Sequence, residues 1–246
     1  MKNLELKIKH FVENINADTL RILMLGNILP ILLKNFLVFE TTRDIFLEKN
    51  VLENEIKNFY LKNNIKNKQS LNQFLKAKGI GEEALHYQIC LPLKIYSYAE
   101  QNFKNELEDY FLKQKEILDE YTFNIIRVKE NDLAHEIYFQ LDSEESDFLK
   151  LSQKYSFYSS LYPEGVFGPR NLRGVNSIIR EKLINASNGN LIMPFQVDEF
   201  WVIIKLIKKK KAKLDNKTTK MLLTEIFDNF INKLTQNFLE GYFKLN

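Results

Sequence analysis

A histidine and a cysteine in this 246-residue chain stand at metal-ligand spacing. His86 and Cys90 are four residues apart, so on a helix both side chains could touch the same ion. Two ligands do not complete a metal site, and the surrounding sequence supplies no histidine or carboxylate cluster to add to them. The sequence therefore predicts no metal centre.

A second candidate is the segment GIGEEA at residues 79–84, which has the spacing of a dinucleotide-binding turn. A helical pattern precedes this segment, whereas the dinucleotide turn follows a strand. Glu82 and Glu83 would also place negative charge where a pyrophosphate binds. The sequence therefore predicts no cofactor.

The same region also fits a helix–turn–helix. Ser70 to Gln73 reads as a capping box, Gly79 as a helix stop, and a second helix follows from Glu82. This order occurs in DNA-binding proteins, but a recognition helix presents its first turn to DNA and this one is acidic. The net charge of +3 is too small to indicate nucleic acid by itself. We expect two core helices and no nucleic-acid partner, with DNA binding as the weakest alternative.

Composition places the chain among globular proteins rich in helix. Apolar residues make up 45% and charged residues 27%, while only 8 Gly and 5 Pro are present, which favours long helices. A single Cys excludes a disulfide framework and fits a reducing compartment. The longest apolar stretch, residues 22–33, is shorter than the roughly 20 residues of a membrane span. We expect a cytoplasmic protein without a membrane span.

Hydrophobic periodicity divides the chain into three parts. Residues 1–120 carry apolar residues at helical spacing, and residues 121–207 mix strand-like and helical segments. Residues 208–246 begin with a lysine-rich linker and continue as a helix whose apolar stripe is too long to stand alone. The pattern predicts an α+β protein. Its helical N-terminal domain is completed by the C-terminal helix, and the mixed domain lies between them.

Four motifs in the mixed segment stand in a recognisable order. They are the LSQKYS run at 151–156, the EGVFG loop at 164–168, the turn from Asn188-Gly189 to Pro194-Phe195, and the closing strand FWVIIKL at 200–206. In this order they resemble the parvulin family of peptidyl-prolyl cis-trans isomerases. The helical parts on either side resemble SurA-type chaperone-isomerases.

The resemblance implies a β-α3-β-α-β2 domain that binds unfolded or Pro-containing polypeptide and isomerises it. The family's first-strand and last-strand histidines fall on Asn124 and Val202, and its acidic-or-Cys loop position falls on Phe157 or Tyr158. We take Asn124 and Tyr158 as catalytic candidates. The candidates for substrate binding are Phe167, Leu191, Phe195, Gln196 and Val202.

Loss of both histidines need not abolish catalysis, because prolyl isomerisation breaks no bond. An apolar pocket and a few hydrogen bonds can favour the twisted amide. Asn124 can still form a hydrogen bond, but Val202 cannot. The sequence therefore predicts an isomerase with weak turnover, and the main alternative is a catalytically inactive peptide-binding module.

Overall fold

A computed structural model describes residues 2–157 and 165–245, which fold into helices and one small sheet. The chain order is α1 (Lys2–Glu13), α2 (Ala17–Leu25), α3 (Leu29–Thr42), α4 (Lys49–Lys62), α5 (Lys68–Lys78), α6 (Glu82–Phe103), α7 (Leu107–Leu118), β1 (Glu120–Val128), α8 (Asn131–Asp142), α9 (Phe148–Tyr155), β2 (Val166–Arg170), α10 (Ser177–Asn185), β3 (Leu191–Val197), β4 (Phe200–Lys210) and α11 (Asn216–Leu245). This order confirms the predicted α+β fold class.

The chain divides into two compact units. A helical unit combines residues 1–108 with 215–246, and a sheet unit comprises residues 109–214. The sequence places the same two junctions at 120/121 and 207/208. In the structure Ile117 of α7 packs against the core of the sheet unit, and strand β4 continues through the lysine-rich segment to Lys210.

In the helical unit, α11 packs against α1, α3 and α6. Its buried side chains follow the apolar stripe of the sequence; among them are Leu222, Ile226, Phe227 and Leu234. Phe227 contacts the ring of Tyr98 edge-on, with 5.5 Å between centroids. The C-terminal helix therefore supplies core to helices that precede the sheet unit in the chain.

Helix α5 starts earlier than the sequence suggests. The side chain of Asn67 accepts the Ser70 N–H at 2.9 Å, and the Ser70 hydroxyl accepts the Asn67 N–H at 3.1 Å. Asn67 is therefore the N-cap, and Ser70 is the third helical residue. Gly79 ends the helix in the left-handed conformation, at φ +65°, as predicted.

No helix of the described ranges 2–157 and 165–245 is by itself long and apolar enough to cross a membrane. By length and composition alone, α2 and α3 together would qualify, but they meet at a bend of 109°.

In the sheet unit the strand order is β2-β1-β4-β3, and every neighbouring pair is antiparallel. Apolar side chains cover both sheet faces. One face, here called the α10 face, carries Phe123, Ile125, Val202 and Ile204 together with Ile179 of α10. The other, the α8 face, carries a second apolar cluster, which consists of Ile126, Val128, Ala134, Ile137, Phe148, Leu151 and Ile203.

A buried carboxylate holds the first and last strands of the sheet unit together. Asp119 precedes β1, and its Oδ1 accepts the backbone N–H of Ala212 at 2.8 Å. Its carboxylate also lies 3.4 Å from the Lys115 ammonium and 4.0 Å from that of Lys209. Burial, and secondarily the charge of Asp119, raises the pKa of the neighbouring Tyr121 phenol. That phenol stays protonated and donates to the Glu116 carbonyl at 3.0 Å.

Replacing this carboxylate should destabilise the sheet unit. Asp119→Ala leaves the Ala212 N–H without its acceptor, and we expect a loss of about 1–3 kcal/mol of unfolding free energy. Asp119→Asn should lose less unfolding free energy than Asp119→Ala. Urea titration measures the effect. The matched control is Glu120→Ala, since Glu120 forms an exposed pair with Lys210 worth at most about 1 kcal/mol. Equal losses in both alanine variants would show that Asp119 has no special role.

Candidate functional site

A groove opens on the α10 face of the sheet, beside the turn that joins β3 to β4. It has a volume of about 480 Å³. Its lining comes from β1, from the start of α10 and from the β3–β4 hairpin, and consists of Arg127, Asn176, Ile179, Val197, Asp198, Glu199, Phe200 and Val202. We call this cavity the sheet groove.

The floor of the sheet groove is apolar. Ile179, Val197 and Val202 are all buried in the α10-face cluster and present their side chains to the cavity from three different elements. Val202 lies on β4 between β1 and β3, opposite Arg127 on one side and Phe195 on the other. A prolyl ring placed here would leave water and contact aliphatic side chains.

Charged groups line the groove above that floor. Arg127 is half-buried, and its strand position is fixed by two backbone hydrogen bonds. Its N–H donates to the Ser156 hydroxyl at 3.3 Å, and its carbonyl accepts the N–H of Phe157 at 2.9 Å. On the hairpin, the two-residue turn of Asp198 and Glu199 joins Val197 to Phe200 and contributes two exposed carboxylates. The groove therefore combines one guanidinium with two carboxylates.

Three of the predicted site residues share the α10 face. Phe167 stacks on Phe123 with 5.6 Å between ring centroids and 11° between ring planes. Phe195 packs against the same cluster, with the Lys182 ammonium 5.8 Å from its ring centroid. Of these three residues, Val202 lines the groove, while Phe167 and Phe195 support the cluster from which the groove floor is built.

Two predicted site residues point away from this groove. Asn124 lies between Phe123 and Ile125, which both face α10, so its side chain projects to the opposite face. There its Nδ2 group donates weakly to the Gly165 carbonyl, at 3.5 Å. Leu191 packs with the α8-face cluster, whereas the next residue, Ile192, packs on the α10 face. Asn124 and Leu191 therefore lie on the sheet face opposite to that of Val202, and their roles in catalysis and substrate binding stay predictions.

Two β1 residues on the face of Val202 lie close to it: Arg127, directly opposite, and Ile125, which is paired with Ile204. Neither was predicted to be a site residue. Arg127 could have been identified from the sequence, because it interrupts the apolar strand run and is one of only six arginines in a lysine-rich chain. No sequence pattern marks the other lining residues Asn176, Ile179 and Glu199, since only the tertiary fold brings them to the groove.

Of the remaining predicted residues, Gln196 lies in the β3–β4 hairpin beside the groove. Gln196 is exposed, and its side-chain amide donates to the carbonyl of Asp198 at 3.2 Å, which stabilises the hairpin turn. Tyr158 lies outside the described residues. The alternative loop position, Phe157, is exposed and contacts the ring of Phe200 at 5.0 Å between centroids.

In the described part of the chain, no group of three or more His, Cys, Asp or Glu side chains is placed to hold a metal ion. The His86 ring is engaged with the Tyr60 hydroxyl at 3.1 Å, and Cys90 is buried in the helical unit.

Comparison with protein families identifies the segment that carries the groove. Residues 123–208 match the rotamase family, described as a PPIC-type PPIase domain. The match begins inside β1 and ends inside β4, so it spans all four strands. The parvulin resemblance of the sequence motifs is thereby confirmed for this segment. None of the curated proteins matches the sequence.

Several solved structures resemble most of the chain at low identity. The peptidylprolyl isomerase PrsA from Bacillus anthracis is 19% identical, with 86% of this chain and 97% of that chain covered and a TM-score of 0.48. The foldase protein PrsA from Streptococcus pneumoniae is 16% identical, with coverages of 92% and 85% and a TM-score of 0.46. A structure titled for the SurA-like chaperones PEB4 and Cj1289 of Campylobacter jejuni is 15% identical, with coverages of 94% and 86% and a TM-score of 0.33.

Proposed function

From the premise that residues 123–208 form a PPIC-type peptidyl-prolyl isomerase domain, we propose that this protein is an isomerase and chaperone for Pro-containing, extended polypeptide. The observation that carries the proposal is the sheet groove, whose apolar floor and single guanidinium lie within the matched segment. The cytoplasmic location expected from the sequence stays a prediction.

The reaction needs no nucleophile and no cofactor. Rotation about an X–Pro bond must overcome amide resonance, and the uncatalysed barrier is about 18–20 kcal/mol. In the planar amide, resonance separates charge between oxygen and nitrogen, and twisting reduces that separation. Moving the bond from water to a floor of Ile179, Val197 and Val202 therefore disfavours the planar form more than the twisted one.

Arg127 supplies the polar part of the mechanism. As the amide twists, the lone pair returns to the prolyl nitrogen, which becomes a hydrogen-bond acceptor. A guanidinium beside the apolar floor can donate to that nitrogen, an interaction made only in the transition state. Asn176 also lines the groove, and its side-chain oxygen accepts the Ile178 N–H at 2.9 Å, so the group it can offer to a peptide carbonyl is its amide nitrogen.

Removing the guanidinium should therefore affect turnover more than binding. Arg127→Ala is expected to lower kcat/KM for a Pro-containing tetrapeptide by about 10–100-fold, as a charged hydrogen bond of about 1.5–3 kcal/mol implies. KM should change little, because the bond forms in the transition state. Arg127→Lys should recover part of the rate.

Arg170→Ala is the matched control, because Arg170 is exposed on β2 outside the groove. Protease-coupled isomerisation kinetics give both constants. If Arg127→Ala turns over as fast as Arg170→Ala, the guanidinium has no role in the chemistry.

The location of substrate binding has its own test. Amide chemical shifts of the ¹⁵N-labelled protein, titrated with a Pro-containing peptide, should move most at Arg127, Asn176 and residues 197–202. The same peptide with Ala in place of Pro should move them far less. Shifts confined to other parts of the chain would contradict the assignment of the groove.

The chaperone part of the proposal is supported by apolar side chains that the helical unit leaves exposed, among them Leu6, Ile22, Leu25 and Phe46. Such surface is costly in water and is typical of proteins that bind other chains. Suppression of client aggregation by the intact protein tests this part separately from isomerisation.

A further inference from the structure

The hairpin turn at one end of the sheet groove carries two charges of the same sign side by side. Asp198 and Glu199 form the turn between Val197 and Phe200, and both are exposed. All four residues line the groove. Within the ranges 2–157 and 165–245, neither carboxylate has a basic side chain at ion-pair distance. The groove therefore ends in two carboxylates that can accept a positive charge from a ligand.

The backbone of the turn fixes the place of these carboxylates. Asp198 has a left-handed φ of +54°, which Asp and Asn adopt more readily than most residues with a side chain. Its carbonyl accepts the side-chain amide of Gln196 at 3.2 Å, and Val197 pairs with Phe200 across the hairpin. Because the turn is already held by these contacts, a ligand that binds it need not order the backbone first.

The lysines beside the groove are directed at aromatic rings. The Lys129 ammonium lies 5.5 Å from the ring centroid of Phe157, and the Lys182 ammonium lies 5.8 Å from that of Phe195. Neither ammonium is within ion-pair distance of the turn carboxylates. The negative charge of the turn is therefore available to a substrate.

Strand register gives the distance between the turn and the guanidinium of the groove. Arg127 is paired with Val202, which lies three residues after Glu199 on β4. Three residues of strand span about 10 Å. An extended peptide covers that distance in about three residues as well. A peptide whose proline lies at Arg127 therefore brings its second or third neighbour on one side level with the turn.

We propose that Asp198 and Glu199 make the sheet groove selective for Pro-containing segments that carry a Lys or Arg two or three residues from the proline. The inference rests on the proposed isomerase function and names the substrate class of the same site. A basic side chain at that position pairs with the turn, whereas an acidic one is repelled by it.

The size of the effect follows from the exposure of the turn. One exposed ion pair changes an equilibrium constant by about 1.5–5-fold. Two carboxylates act here, and exchanging Lys for Glu in the peptide turns an attraction into a repulsion. We therefore expect kcat/KM to differ by about 5–10-fold between the two peptides at low salt. In 1 M NaCl the ratio should fall below about 2, since the screening length is then only about 3 Å.

The experiment measures kcat/KM by NMR exchange spectroscopy for one peptide sequence with a single substituted position. That position lies two or three residues before or after the proline and holds Lys, Gln or Glu. In at least one placement, the wild type should isomerise the Lys peptide about 5–10-fold faster than the Glu peptide, with the Gln peptide between them.

Two double variants of the full-length protein identify the residues responsible. Asp198→Asn with Glu199→Gln removes both charges, and Asn keeps the left-handed φ accessible. The matched control is Glu144→Gln with Glu145→Gln, since these adjacent residues of the sheet unit are exposed, lie outside the groove and include a left-handed φ of +57° at Glu144. The Lys-to-Glu ratio should fall to about 1–2 in the turn variant and be retained in the control.

A charge reversal gives the opposite result if the assignment is right. Asp198→Asn with Glu199→Lys should make the Glu peptide the better substrate. Because each protein is judged by the ratio of two peptides, a partial loss of folded protein does not change the outcome.

The possible failures are distinguishable. If the wild type isomerises none of the peptides, the proposed function is wrong and this inference fails with it. If the wild type isomerises the Lys and Glu peptides equally in every placement, the isomerase function stands and the charge selection is overturned. A preference for Lys that persists in the turn variant, or that is lost equally in the control, would show that Asp198 and Glu199 are not its source.

Discussion

Deleting residues 215–246 should abolish cooperative folding of the helical unit. Helix α11 packs against α1, α3 and α6, so its removal exposes apolar faces on three other helices. The lost partners are buried side chains, including Leu222, Phe227 and Leu234. We expect the truncated protein to bind hydrophobic dye, to aggregate on heating and to lose the unfolding transition of the helical unit. A truncated chain that stays monomeric and unfolds like the full-length protein would contradict this account.

A point variant gives the same test without truncation. Phe227 is fully buried and contacts Tyr98, so Phe227→Ala should cost about 3–5 kcal/mol of unfolding free energy. Lys233→Ala, at an exposed position of the same helix, should stay within about 0.5 kcal/mol. Urea-induced unfolding measures both. Similar stabilities of the two variants would show that α11 adds little to the core.

The second large effect is expected from Gly168→Ala in the sheet unit. Gly168 lies in β2 at φ +101°, a conformation that residues with a side chain rarely adopt. An added Cβ would also overlap the carbonyl oxygen of Tyr121 on the neighbouring strand. Since backbone cannot move aside without breaking the β1–β2 pairing, we expect a loss of about 3 kcal/mol or more. In a unit of this size, that lowers the Tm by roughly 12–24 °C.

The chain offers a matched control for this substitution. Gly189 also has a positive φ, at +84°, but nothing lies within 4 Å of the Cβ that alanine would add. Gly189→Ala should therefore lower the unfolding free energy only by the cost of placing alanine at a positive φ, about 1–2 kcal/mol. Differential scanning calorimetry of the two variants separates this cost from that of the overlap with the Tyr121 carbonyl. Equal shifts in Tm would mean that the close approach of Gly168 to β1 contributes nothing.

Helical periodicity made the helical unit predictable. Leu222, Ile226, Phe230 and Leu234 recur at four-residue spacing, and Leu222, Ile226 and Leu234 are buried in the structure. A stripe of that length requires partners, and the only other long helical region of the sequence precedes residue 121. The order of the helices could therefore be predicted from the sequence, because residues on one face of a helix recur at regular spacing.

The candidate site was less predictable, because successive side chains of a strand point to opposite faces of the sheet. One irregular residue reverses that assignment for everything beyond it. The β3–β4 register shifts between Ile192 and Phe195, so Leu191 and Phe195 face opposite sides of the sheet although they are four residues apart. Asn124 lies in a regularly alternating part of β1, and there Phe123 and Ile125 take the face that Val202 shares. Motif spacing alone gives no sign of such bulges.

NMR exchange spectroscopy tests most directly whether the sheet groove catalyses prolyl isomerisation. Cis and trans signals of a Pro-containing peptide are recorded with a substoichiometric amount of protein, wild type or Arg127→Ala. We expect exchange cross-peaks with the wild type, on a timescale far shorter than the tens of seconds of the free peptide, and much slower exchange with Arg127→Ala. Cross-peaks that are absent with the wild type, or equally strong with both proteins, would contradict it.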